Sequence, residues 1–215
     1  MSQSKHNITF ISTVHKKIGI CNAHELCTIL EKVSPDVVFL EALENTYSNY
    51  EKNMFSSFGV YHQKLEIKAI QKYSHRSLVE YVSVLDSALS ELFDNKYNLV
   101  CENIQFQKML DDYNSLASEQ GFQFLNSADS IKLQEKMRMF EYRLLKDNKL
   151  NEAVNEDIDT YENSMMQNIY SYCRNNQFDK AIFMCGVAHR HSIIEKIGSF
   201  NHKEKMDLNW EVYGN

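Results

Sequence analysis

ITFISTV (Ile8–Val14) and VVFL (Val37–Leu40), with AHELCTILEKV (Ala23–Val33) between them, decide the fold. The two flanking runs are short, β-branched and apolar, the pattern of strands buried on both faces. The middle run places Leu26, Ile29, Leu30 and Val33 at helical spacing. Asn22 stands as its N-cap, with Glu25 three residues on, as in a capping box. Pro35, within Ser34-Pro35-Asp36, cannot continue that helix and ends it. Strand, helix and strand in this order make a βαβ unit, with parallel strands and an expected right-handed crossover.

Outward from this unit the same signals recur. Asn45 to His62 is polar and aromatic without a clear period and reads as a long loop or broken helix. LEIKAIQKY (Leu65–Tyr73) is helical, and LVEYVSVL (Leu78–Leu85) is a third strand ending at Asp86. Ser87 to Lys149 is amphipathic and helix-forming, an expected insertion beside the sheet, and Asp86 is a candidate cap for a helix starting at Ser87. A long helix is expected from Asn155 to Asn175, with Ile158, Tyr161, Met165, Ile169 and Tyr172 on one stripe. KAIFMCG (Lys180–Gly186) is a further buried strand, SIIEKI begins a short helix, and LNWEVY (Leu208–Tyr213) alternates as an edge strand does. The expected class is α/β: a central, mainly parallel sheet flanked by helices, with a helical insertion (87–149) after the third strand, in a single domain over 1–215.

Composition agrees. Six glycines and one proline in 215 residues are far below the roughly 12% of an ordinary chain. So few turn-formers argue against sandwiches and propellers and for long helices around a compact sheet. The net charge of −6, from 23 basic and 29 acidic side chains, shows no basic cluster and disfavours a nucleic-acid partner. Five cysteines (21, 27, 101, 173 and 185), with no CxxC among them, read as thiols of a reduced, cytoplasmic protein. No apolar run approaches the ~18 residues of a membrane span, and the N-terminus has no signal-peptide pattern.

Chemistry is suggested by position. His15, Glu41, Asp86 and His189 each follow closely on a predicted core strand. In an open parallel sheet all strand C-termini share one edge, where ligands bind. Two imidazoles and two carboxylates suit a divalent metal or acid–base work. Glu41 is the most telling, because a carboxylate after four apolar strand residues is costly to bury without a cation or hydrogen-bond donor. His189-Arg190-His191 is a possible anion-binding cluster at a helix N-terminus. There is no HExxH, P-loop, GxGxxG or GxSxG.

STVH (Ser12–His15), FLEAL (Phe39–Leu43) and CGVAHRHSI (Cys185–Ile193) together resemble the TraB/Tiki-type superfamily (TraB/PrgY/GumN-like), a group related to erythromycin esterase and to ChaN-like haem-binding proteins. That group carries a GxxH motif at either end of its domain and a glutamate after the second strand. Asp86 in VSVLDSA and Asn163 in TYENSMMQNI resemble shorter motifs between them, and Glu66 with Ala69 in LEIKAI resembles the family's ExxxA helix, with the spacing ExxA here. The sequence departs from the pattern at Ser12, where the family has Gly, and at Glu162, where it has Arg. The resemblance implies a metal-dependent hydrolase, peptidase- or esterase-like, acting on a small-molecule or peptide substrate. It implies His15, Glu41 and His189 as ligands of Mn²⁺, Co²⁺ or Zn²⁺. Glu41, Glu66 and His189 would be the catalytic groups, with Asp86, Asn163 and Arg190 supporting them from behind. Two alternatives stand beside it: a binding or regulatory member of the same fold, favoured by the Glu162 departure, and haem binding of the ChaN kind.

Overall fold

The computed structural model describes residues 6–43, 64–206 and 208–214. Among these residues the sheet has five strands: β1 (Asn7–Thr13), β2 (Val37–Leu43), β3 (Glu80–Leu85), β4 (Lys180–Gly186) and β5 (Asn209–Val212). All pair in parallel, in the order β3-β2-β4-β1-β5. The helices are α1 (Ala23–Val33), α2 (Leu65–Ser74), α3 (Glu91–Cys101), α4 (Ile104–Leu125), α5 (Ala128–Leu145), α6 (Asn148–Asn175) and α7 (Arg190–Glu204), with a 3₁₀ turn at Val187–His189. The fold is α/β, as the apolar runs predict. The expected loop at Asn45–His62 lies outside the described residues.

Successive strand residues point to opposite faces, and each face carries its own core. Along β4, Ile182 and Met184 join Ile11, Val38, Leu40, Leu26, Leu30 and Ile70 under α1 and α2. Ala181, Phe183 and Cys185 join Phe10, Phe39, Met165, Ile169 and Ile193 under α6 and α7. The chain therefore covers one face with the helices after β1 and β2, and the other with those before and after β4. β4 is inserted between β1 and β2, so the two strands of the N-terminal unit are parallel but not neighbours.

Helix ends account for the other differences. The Asn22 side chain accepts from the His24 and Glu25 N–H groups, as a cap should. The Glu25 carboxylate is drawn to the Phe122 N–H, so the capping box is half made. There α4 breaks: Gly121 takes φ +61° and ψ −143°, and a Cβ would sit 2.5 Å from the Glu25 carboxylate. No helix starts at Ser87; α3 begins at Glu91, after Ser90, whose N–H is taken by Asp157. The long helix starts at Asn148 rather than Asn155, because Asp147 caps it by accepting from the Leu150 N–H. The insertion is thus α3, α4, α5 and the first turns of α6. All five cysteines are free thiols. No helix among the described residues is long and apolar enough to cross a membrane.

Candidate active site at the sheet edge

Glu41 lies inside β2, and the strand alternation puts it on the same side as Val37 and Phe39, facing α6 and α7. Its side chain is only 7% exposed. Tyr161 on α6 donates its hydroxyl proton to Oε1 at 2.6 Å, and the Gly186 N–H at the end of β4 donates to Oε2. His189 Nε2 lies 3.7 Å from Oε1. Burial pushes the Glu41 pKa up, but His189, the Tyr161 hydroxyl, the Gly186 N–H and His15 outweigh it and hold the carboxyl below its usual range. Gly186 is fitted to this approach, since a Cβ there would stand 3.2 Å from Glu41 Oε2 and 3.8 Å from His189.

His189 ends the 3₁₀ turn after β4, and its Nδ1 lies 2.8 Å from Glu162 Oε1. An ionised carboxylate only accepts, so Nδ1 is the nitrogen that donates to Glu162, and Nε2 is the one turned to Glu41. Glu162 is itself fixed: Ser192 donates to Oε2, and the Lys196 ammonium is 3.8 Å from the same oxygen. The Tyr161 ring packs on the imidazole at 5.4 Å between centroids. Glu162, which departs from the TraB/Tiki pattern, is thus the group that orients His189.

A second pair stands on the other face. His15 Nδ1 lies 2.9 Å from Glu66 Oε1, and the Thr13 hydroxyl donates to that oxygen at 2.8 Å. Glu66 comes from the first turn of α2 and is buried. The bond to Glu66 raises the His15 pKa above its ordinary 6.5; burial opposes this, and the charges of Glu66 and Glu41 add to it. Glu66 Oε2 is buried and has no hydrogen-bond partner among the described residues.

The other expected residues lie outside this group. Asp86 is exposed and accepts from Asn168 on α6. Asn163 bonds Asp159 and accepts from Lys196, so it reaches His189 only through Lys196 and Glu162. Arg190 is fully buried and bonds a different set of groups. It donates to the Asn126 side chain and carbonyl, to the Tyr213 carbonyl and to Ser12 Oγ. Burial depresses its pKa to about 10. Ser12, the other departure, is therefore an acceptor for Arg190 on an extended strand. His191 faces solvent and pairs with Glu135 and Glu195, which gives an anion there two carboxylate neighbours. Tyr161 and Glu162 are the two residues of this group to which the sequence reading gave no role in the site. Tyr161 sits on the apolar stripe of its helix, and only the seating of α6 on the sheet shows where its hydroxyl goes.

The donor types suit a divalent ion. Each imidazole is backed by a carboxylate, the arrangement that metal-binding histidines adopt. His189 Nε2 and Glu41 Oε1 are spaced as two ligands of one ion can be, each about 2.0–2.2 Å from it. Among the described residues, however, no three His, Cys, Asp or Glu side chains are grouped closely enough to hold an ion. No family model, curated protein or solved structure matches the chain.

Proposed function

We propose that the protein is a hydrolase of the TraB/Tiki type that activates water at the C-terminal edge of its sheet, with a divalent ion assisting. The observation that carries this reading is the pair of imidazoles, each with Nδ1 bound to a buried glutamate, beside a third glutamate set among hydrogen-bond donors. For an ion to be held by His15 and His189, with Glu41 as third ligand or as base, His15 would have to approach the other two, because the described residues do not group three ligands; when bound, the ion would supply Lewis-acid polarisation. The chain's own groups do the rest. Glu162 and Glu66 fix the tautomer and direction of His189 and His15. Glu41, kept ionised by its donors, accepts a proton from water. The water oxygen then bonds to the substrate carbonyl carbon, and the C–O or C–N bond breaks. The leaving alcohol or amine takes a proton, and a carboxylic acid remains.

The test is a panel of p-nitrophenyl esters and fluorogenic peptides, assayed with EDTA and with added Mn²⁺, Co²⁺ or Zn²⁺. Metal content is measured in parallel on protein purified without chelator. The expected result is metal-dependent cleavage that is lost in Glu41→Gln. Cleavage that is indifferent to both metal and Glu41 would overturn the reading. The binding-module alternative draws on the lack of a three-ligand group among the described residues. Protein that carries no metal and turns over no panel member would favour it.

A further inference from the structure

The hydrolytic reading leaves unused a cavity of about 210 Å³ that His189 helps to close, walled by α3, α4, α5 and α6. Phe93, Phe106, Leu110, Met137, Val154 and Ile158 give it an apolar lining. Its charged groups are few and unbalanced. Lys96, only 5% exposed, holds its ammonium 3.6 Å from Glu141, and Arg138 donates to the Ala188 carbonyl next to His189. Lys96 is thus the buried cation beside Glu141, the exposed Arg138 adds a second cation at the rim, and burial raises the pKa of the carboxylate. A desolvated pair at 3.6 Å is loosely made and leaves donor capacity on Lys96 for a ligand.

Size and charge together define an occupant. An apolar cavity of about 150 Å³ accepts benzene. By that scale 210 Å³ takes an aromatic ring on a short tether, or a branched chain of roughly 8–12 non-hydrogen atoms. The surplus positive charge suits a ligand that ends in a carbonyl or carboxylate. We propose that this cavity is the acyl subsite, receiving the apolar acyl portion of an ester or amide substrate whose carbonyl lies at His189. The inference rests on the hydrolytic reading for the direction of the ligand. It goes beyond that reading in naming the substrate class and in giving the helical insertion its purpose.

The experiment is calorimetric titration of the full chain with sodium 3-phenylpropionate and with sodium acetate, the long and short acids that such a subsite would release. One methylene in an apolar pocket is worth about tenfold or more. Phenylpropionate should therefore bind at least tenfold more tightly than acetate. Ile158→Trp fills the cavity and should bring the ratio below about threefold. Leu110→Trp is a second filling variant from another helix, and thermal unfolding confirms that each variant is folded. Equal binding of the two acids by wild type, or an unchanged ratio in both folded variants, would overturn the proposal. The p-nitrophenyl esters of the same acids separate the two readings. Selective binding without cleavage of either ester leaves the subsite standing and removes the hydrolase; cleavage without selectivity in binding or rate does the reverse.

Discussion

His15 and His189 both give their Nδ1 proton to a glutamate, yet His15 leaves 48% of its side chain to solvent and His189 only 11%. Glu66 holds His15 from a neighbouring helix on the α1/α2 face, with Thr13 as the further donor. Glu162 holds His189 on the α6/α7 face, with Ser192, Lys196 and the Tyr161 ring packed around it. In the proposed reaction the same chemical unit would therefore serve two purposes. In the dry pair, every nearby dipole is fixed before substrate arrives, which is what transition-state stabilisation needs. In the wet pair, the imidazole exchanges protons with bulk water and responds to pH.

The comparison turns first on Glu41, the residue between the pairs. Glu41→Gln should lower kcat by about 10²–10⁴-fold, the range of a general base. A carboxamide cannot accept from both Tyr161 and Gly186, so stability should fall by about 1–3 kcal/mol. Parallel kinetics and thermal unfolding check this, and a variant that keeps wild-type kcat would remove Glu41 from the chemistry. Next is Glu162→Gln in the dry pair, expected to cost about 10–100-fold in activity or metal affinity with the shape of the pH profile kept. An effect no larger than that of Glu66→Gln would erase the distinction between the two pairs. Tyr161→Phe removes one donor from Glu41 and should lower kcat by roughly tenfold, the equivalent of about one hydrogen bond to a charged group. It should also move the Glu41 titration upward, which a pH–rate series would detect.

The smallest expected effect is on the wet pair, and it is one of direction. His15 works only as the neutral imidazole, so activity should be lost as pH falls through a value above the ordinary 6.5. Glu66→Gln should bring that acid limb down. Stability runs the other way. A raised histidine pKa contributes stability that is fully present below 6.5 and is lost as pH rises through the folded value. At this exposure solvent screens the contribution to a small one. Acid therefore favours the pair while silencing the histidine. A pH–rate profile whose acid limb is the same in wild type and Glu66→Gln would break the link.

How much of this was legible in the sequence depends on range. The core strands show because an apolar run of β-branched residues is a local signal, and His15, Glu41 and His189 show because they stand at or near the ends of such runs, whereas Glu66, in a helix, was marked only by the resemblance to a family motif. The order of strands does not show: nothing in KAIFMCG says that it lies between the first two strands. Helix boundaries within 87–149 were hidden because successive amphipathic helices share one composition, and caps such as Asp147 look like ordinary polar residues. Tyr161 and Glu162 were hidden because their partners on β2 and at the end of β4 are far away in the chain. Glu162 was conspicuous only as a departure, and its meaning came from the imidazole that it faces.

The place of β4 has a consequence for how the molecule is made. Among the described strands β1 pairs only with β4 and β5, both in the last fifth of the chain. At about 5–20 residues per second, the ribosome delivers β1 roughly 10–30 s before its first partner. Through that interval NITFIST is an apolar strand with two open edges, the kind of segment that seeks other chains. Its native pairing is also among the most distant in sequence, which slows closure. A chain truncated before Lys180 should collect in aggregates rather than as a smaller folded unit, and release of soluble protein should depend on translation speed and chaperone supply more than on the strength of the finished core.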